Sequence, residues 1–308
     1  MPWLEYMAVR ALIALVRAMP ERLVERCGTS LGLAFYFLDR AHRRVAEDNV
    51  RAAFPGRPDQ ERRKIVKSAF AHFGRLLFAL LKFSTLTDDE LLARVEFEGE
   101  ERVRAAYAHG KGVLFVTGHF GFWELQAMVH ALRLRPMAVL ARALDNARLN
   151  DLLERIRTRT GNTVIYRQGT LRRAMRLLLA GESVGILIDQ HIMSRDAIHV
   201  DFFGRPAATT SAVAALALRT GARVIPLFAL PLGNGRYKMI YEHAVEPPAP
   251  DVEDQIHEFT QRCTDVLEMY VRRHPDLWLW MHRRWREGAG ASAPAGKDMF
   301  PAVEGDTN

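Results

Sequence analysis

Through the first 83 residues, apolar positions return every three or four residues, the spacing of amphipathic helices. Leu4, Met7, Ala8, Ala11, Leu12, Leu15 and Met19 share one side of the first helix, and Arg10 and Arg17 share the other. A second apolar segment, Leu31 to Leu38, runs into the basic stretch Asp39 to Arg44. Pro55-Gly56-Arg57-Pro58 breaks the pattern. A long helix is predicted beyond it, from about 59 to 83, with Ile65, Ala69, Phe73, Leu76, Leu77 and Leu80 on one face.

From about residue 95 the pattern changes to short β-rich runs alternating with helical ones. Strands are predicted at 112–117, 137–141, 163–166, 184–188, 198–203, 224–230 and 237–243, and helices at 121–134, 146–160, 170–180, 209–220 and 251–273. Continuously apolar strands alternating with helices predict an α/β fold: a mixed, largely parallel sheet covered by helices, preceded by a helical N-terminal region. The expected division is 1–94 for the helical, membrane-associating region, 95–287 for the α/β core with a C-terminal helical segment, and 288–308 for a disordered Ala, Gly and Pro tail.

The 308 residues are 49% hydrophobic and 26% charged, a globular balance that excludes wholesale disorder. Lys and Arg number 43 against 36 Asp and Glu, a net charge of +7, and only six of the basic residues are Lys. An Arg-dominated surface suits phosphate on a phospholipid, nucleotide or nucleic acid, and is equally compatible with plain solvated faces. Two cysteines, Cys27 and Cys263, lack the spacing of a disulfide framework or a zinc site and fit a reducing compartment. Glu5, Arg10 and Arg17 interrupt the N-terminal apolar run, which does not read as a signal peptide. The longest stretch free of charged residues, 206–218, is 13 residues. A spanning helix needs roughly 20, so surface attachment to a membrane is the form left open.

The most informative segment is Val113 to Leu125, where a buried strand ends at Gly118-His119 and Glu124 falls in the first turns of the next helix. A turn at Gly118 and Gly121 bends His119 back over Glu124, and a carboxylate on one imidazole nitrogen raises the basicity of the other. The plainer reading is a structural histidine and an acid in a helix first turn. Strand 137–141 runs into Arg142, and strand 184–188 into Asp189-Gln190-His191. Ligands of open α/β sheets bind outside the carboxyl ends of the strands, which would gather His119, Arg142 and Asp189 at one edge. Alternatively Arg142 is a solvated loop cation and Asp189 a turn residue.

Other patterns are weaker. Gly28-Thr29-Ser30-Leu31-Gly32 matches a nucleophile elbow, but the charged, helical residues before it are not the strand that motif needs. His191 and His199 come without HExxH or CxxC spacing, and no Walker A or GxGxxG run is present, so neither metal nor organic cofactor is expected. Residues 154–176 carry Arg155, Arg157, Arg159, Arg167, Arg172, Arg173 and Arg176 against Glu154. Residues 278–286 interleave Trp278, Trp280 and Trp285 with Arg283, Arg284 and Arg286, a pattern for a lipid headgroup interface, for single-stranded nucleic acid, or for tryptophans packed into the core.

At His119-Phe-Gly-Phe-Trp-Glu124 the chain resembles the bacterial lipid A biosynthesis acyltransferases, the lauroyl and myristoyl transferases within the lysophospholipid acyltransferase group. The shared mark is His, four residues, then an acid, and Glu is similar to the lipid A branch. Val139 to Arg142, Gly181 to Gln190, Val200 to Thr210, Ala222 to Pro226 and Trp278 to Trp285 resemble the family's later blocks in order. The resemblance implies a glycerolipid acyltransferase-like fold and acyl transfer from an acyl-ACP or acyl-CoA thioester to a lipid A precursor or other glycolipid, at the cytoplasmic face of the inner membrane and without nucleic acid. It implies His119 as general base with Glu124 orienting it, and Arg142, Asp189 and Gln190 on substrate. Gly118 and Gly121 would leave room for oxyanion-binding amides. Competing readings are a thioester or lipid hydrolase and a non-catalytic membrane-binding module.

Overall fold

The computed structural model describes residues 2–166, 169–193 and 197–286. The expected tail from Gly288, and Arg167 of the basic run, lie outside them. Four helices come first: α1 (Pro2–Ala18), α2 (Glu21–Leu38), α3 (Arg40–Ala53) and α4 (Asp59–Phe83). Then come α5 (Asp88–Leu92), β1 (Val95–Glu98), α6 (Glu100–Ala108), β2 (Val113–Thr117), α7 (Trp123–Arg133), β3 (Ala138–Leu140), α8 (Ala147–Thr158), β4 (Thr163–Ile165), α9 (Thr170–Leu179) and β5 (Ser183–Leu187). The chain continues with β6 (Ile198–Asp201), β7 (Pro206–Thr209), α10 (Ala212–Thr220), β8 (Arg223–Gly233), β9 (Arg236–Tyr241) and α11 (Gln255–Arg273), followed by a short 3-10 turn, Pro275–Leu277.

Seven strands form one sheet in the order β1-β9-β8-β2-β5-β3-β4. β8, β2, β5, β3 and β4 run parallel, and β9 turns antiparallel to β8. The α/β architecture with a largely parallel sheet is the one the sequence predicts. Strand 198–203 is the exception: β6 leaves the main sheet and pairs antiparallel with β7, a strand the alternation did not reveal. β1 and α6 also escaped prediction, because they are short and half exposed.

Every residue of β2 is buried, as a central parallel strand requires. Leu114 and Val116 face a core shared with α3, α10 and α11, while Val113 and Phe115 face a second core shared with α6, α7 and α8. Helix α4 belongs to both. Its first half, through Ile65, Val66, Ala69 and Phe70, packs into the first core, and Leu76, Ala79 and Phe83 pack into the second.

The Gly28 to Gly32 motif is a helix crossing. Ser30 lies exposed within α2, so no strand presents it as a nucleophile. The two glycines let α2 lie on α4 at Gly74: a Cβ on Gly74 would sit 2.1 Å from the Gly28 carbonyl oxygen and 2.5 Å from the Gly32 nitrogen. Because the clash is with backbone, the helices must separate to accommodate it. Gly74→Ala is expected to destabilise the fold by about 1–3 kcal/mol, the usual range for overpacking, and Ser30→Ala to leave it unchanged. Thermal unfolding of the two variants measures this.

The C-terminal segment takes the core-packed form among the readings left open for it. Trp278, Trp280 and Arg284 are fully buried and Trp285 packs against the first core, so these residues form no headgroup interface. Arg284 donates to the Ala208 carbonyl and to the Thr209 hydroxyl.

Candidate active site

The turn between β2 and α7 stands at the carboxyl edge of the sheet, and β5, the neighbour of β2, ends beside it. Asp189, just past β5, is buried and collects three donors. The His119 backbone N–H and the Trp278 indole N–H donate to Oδ2 at 2.7 and 2.8 Å, and the His119 ring donates from Nδ1 to Oδ1 at 2.8 Å. Burial alone would raise the Asp189 pKa, but the charge of His119 and these hydrogen bonds outweigh it and bring the carboxyl down to about 2. With Nδ1–H committed to Asp189, the basic lone pair of neutral His119 resides on Nε2.

Asp189 therefore makes the hydrogen bond to the imidazole that local spacing assigned to Glu124. The Glu124 carboxylate, in the first turn of α7, is instead gripped by both arms of Arg157 at the last turn of α8, with Nε donating to Oε2 at 2.9 Å. Burial would raise the Glu124 pKa, but the Arg157 charge and hydrogen bonds outweigh it and hold the carboxyl below its usual value. Arg157 thus leaves the basic surface expected of residues 154–176, while Arg159 stays at the surface and reaches Asp88 and the Ser84 carbonyl. Arg172, Arg173 and Arg176 remain exposed on α9.

Four amides of the turn find their partners within the protein. The His119 N–H serves Asp189, that of Phe120 the Gly118 carbonyl, that of Gly121 the Leu277 carbonyl, and that of Phe122 the Ala229 carbonyl. The glycines have other uses. A Cβ on Gly118 would come within 3.0 Å of the Asp189 carboxylate. Gly121 has φ +58°, and a Cβ there would sit 2.1 Å from the Ala229 oxygen.

Arg142 follows β3, and the strand register sets it level with Gly118 two strands away, about 10 Å at ordinary strand spacing. It is a third exposed, with Asp145 3.9 Å away. Gln190 is half-buried beside Asp189, and its carbonyl faces Arg284. His191 donates its backbone N–H to Nε2 of buried His282, and burial pushes both rings down to a pKa of about 4.

An apolar slot of about 40 Å³, room for roughly three waters, lies between the sheet and α7. Phe115, Trp123, Met137, Gly185 and Leu227 help to line it. Trp123 also meets the His119 ring edge-on, with centroids 5.2 Å apart, so the slot adjoins this histidine.

Arg157 is a site residue that sequence reasoning placed in a basic run, and Trp278 is one that it left open between an interface and the core. Their signal was present, since a tryptophan in an apolar run and an arginine opposite a lone acid are both candidates for burial, but nothing local named their partners.

A half-buried His held by a buried Asp thus stands at the carboxyl edge of a covered sheet, flanked by an ion-paired Glu and an apolar slot. The chain belongs to the bacterial lipid A biosynthesis acyltransferases, whose family model matches residues 2–287. It is 27% identical over 288 residues to the lipid A biosynthesis lauroyltransferase of Escherichia coli (strain K12), covering 92% of each chain. To the myristoyltransferase of the same organism it is 24% identical over 305 residues, 97% of this chain and 92% of the relative. To a phosphatidylinositol mannoside acyltransferase of Mycobacterium tuberculosis (strain ATCC 25618 / H37Rv) it is 24% identical over 276 residues, 88% and 85% of the two chains. The protein is an O-acyltransferase of the lipid A and glycolipid class.

Proposed function

We propose that the protein moves a fatty acyl chain from an acyl-ACP or acyl-CoA thioester to a hydroxyl of a lipid A precursor, with His119 as general base. The observation that carries this reading is the Nδ1–H hydrogen bond from His119 to buried Asp189, which leaves Nε2 basic. Nε2 takes the acceptor hydroxyl proton as the oxygen attacks the thioester carbonyl. The tetrahedral intermediate then collapses, the C–S bond breaks, and the leaving thiolate takes the proton from the imidazolium. Asp189 stabilises the transient imidazolium. The developing oxyanion is matched by cationic side chains at the edge. Arg142 serves there or on a substrate phosphate, for which its planar fork is suited. Glu124 acts through Arg157, holding α8 against the turn. The slot between α7 and the sheet receives the start of the acyl chain.

The test is a reconstituted reaction of the purified protein with acyl-ACP and acyl-CoA donors and a lipid A precursor, read by lipid mass spectrometry. A new acyl ester supports the reading, and thioester consumption without a lipid product sinks it. The similarity to the mannoside acyltransferase favours a second acceptor, a phosphoglycolipid, which the same assay includes.

We infer further that residues 1–94 attach the enzyme peripherally to the cytoplasmic face of the inner membrane. No helix among the described residues is long and apolar enough to cross a membrane. Trp3, Leu4, Met7 and Leu15 on α1 and Phe35 and Phe37 on α2 are exposed large apolar side chains, with Arg10, Arg17, Arg22 and Arg26 on the same two helices. Glu5 accepts from the Asn146 amide at 2.8 Å, so α1 begins beside the loop that carries Arg142. Trp3→Glu with Leu4→Glu is expected to weaken binding to anionic vesicles at least tenfold without lowering the melting temperature, since both side chains are exposed. Wild-type binding should fall with added salt. Cosedimentation measures both effects.

A further inference from the structure

We propose that His72, in the middle of α4, is a positioning residue for the His119 turn, holding the Gly121 carbonyl through its Nε2–H. This rests on the reading of His119 as the general base. His72 is buried, and its Nε2 lies 3.2 Å from the Gly121 oxygen. A carbonyl only accepts, so the ring donates. Burial pushes the His72 pKa down to about 3, so the ring is neutral and the bond persists across the physiological range.

The backbone anchors of the turn divide by origin. Sheet and C-terminal segment hold most of them: Asp189 and Ala229 accept from the His119 and Phe122 N–H groups, Leu277 accepts from Gly121, and the Leu279 N–H donates to the His119 carbonyl. The bond to the Gly121 carbonyl comes from the N-terminal helices. It fixes the peptide between Gly121 and Phe122 at its oxygen, while Ala229 fixes the same peptide at its nitrogen. That peptide is the step from the left-handed Gly121 into α7.

Ring contacts make the same connection. Phe73, the next residue of α4, lies 5.8 Å from Trp123, and Trp123 lies 5.2 Å from the His119 ring. Helix α4 packs into the cores on both faces of the sheet and is pinned to α2 at Gly74, two residues beyond His72. Its placement is therefore rigid, and His72 transmits it to the imidazole. Without the donor, the buried Gly121 carbonyl is relieved only by rotating its peptide, which breaks the Phe122 bond and shifts Trp123 against His119. Displacements of about 1 Å at a reacting group cost on the order of 10² in rate.

The test compares His72→Phe, which keeps a ring and removes the donor, with His72→Gln, whose amide N–H reaches a similar point. We expect kcat to fall tenfold or more in His72→Phe with KM for donor and acceptor within about threefold of wild type, and His72→Gln to recover most of the loss. Amide exchange over residues 119–122, read by mass spectrometry without substrate, should quicken in His72→Phe and not in His72→Gln. Wild-type kcat in His72→Phe, or equal losses in both variants, overturns the proposal. If His72→Phe does not fold, His72→Gln decides alone, near-native kcat supporting the role and a tenfold loss overturning it. Exchange does not depend on the acyl-transfer reading. Unchanged exchange in a folded His72→Phe overturns the positioning role, whereas a wild-type protein that transfers no acyl group, with quickened exchange in His72→Phe, sinks only the function proposed for His119.

Discussion

Asp189→Asn should lower kcat by on the order of 10³ while leaving the protein folded, a loss close to that of His119→Ala. The reason is the geometry of three donors on one carboxylate. The His119 N–H and the Trp278 indole both point at Oδ2, so an asparagine must place its amide oxygen there. Its NH2 group then faces Nδ1 of His119, where Asp189 now accepts a hydrogen bond. To avoid two opposed donors the imidazole moves its proton to Nε2 and ceases to be a base toward the acceptor hydroxyl. Steady-state turnover of the two variants, with circular dichroism for the fold, measures this. Near wild-type kcat in a folded Asp189→Asn would refute the assigned role. The same carboxyl links the site to acid stability. Its folded pKa, about 2, lies below the ordinary 3.8, so it contributes stability above about pH 4 and loses it as the pH falls toward 2.

Arg157→Ala should destabilise the protein by about 3–5 kcal/mol, the range for removing one partner of a buried ion pair. Both side chains are largely buried, 18% and 13% exposed, so the stranded Glu124 carboxylate has little water to replace the guanidinium. The penalty should shrink on acidification, because an unpaired Glu124 protonates readily. In the wild type the sign is opposite: the Glu124 pKa is held below the ordinary 4.5, so the pair contributes above that pH and weakens below it. Glu124→Gln with Arg157→Met should recover most of the stability, since neither charge is then left buried. Denaturant unfolding of the single and double variants at two pH values checks all three statements. A cost for Arg157→Ala below about 1 kcal/mol would place the pair among weak surface bridges instead.

Much of the fold follows from local pattern. The short, β-branched run Val113 to Val116, bounded by Gly112 and Gly118, reads as a covered strand, and the helical spacing of α1 to α4 needs no knowledge of the sheet. The carboxyl edge of the sheet was also legible, because strand ends followed by His119, Arg142 and Asp189 are read directly from the chain. What local reasoning could not supply is partner choice. Glu124 stands five residues from His119, and Asp189 seventy, yet Asp189 holds the ring. The strand order sets β2 beside β5 in register, so the second residue past each strand meets the other across one strand spacing. The start of α7 turns Glu124 toward α8 instead. Trp278 reaches the same carboxylate from 89 residues further along, and His72 reaches Gly121 from the other direction. Hydrophobic periodicity is a property of neighbours along the chain, and it determined the elements. Hydrogen bonding and ion pairing depend on which groups meet in space, and only the packed sheet, with α4 against its edge, decided those.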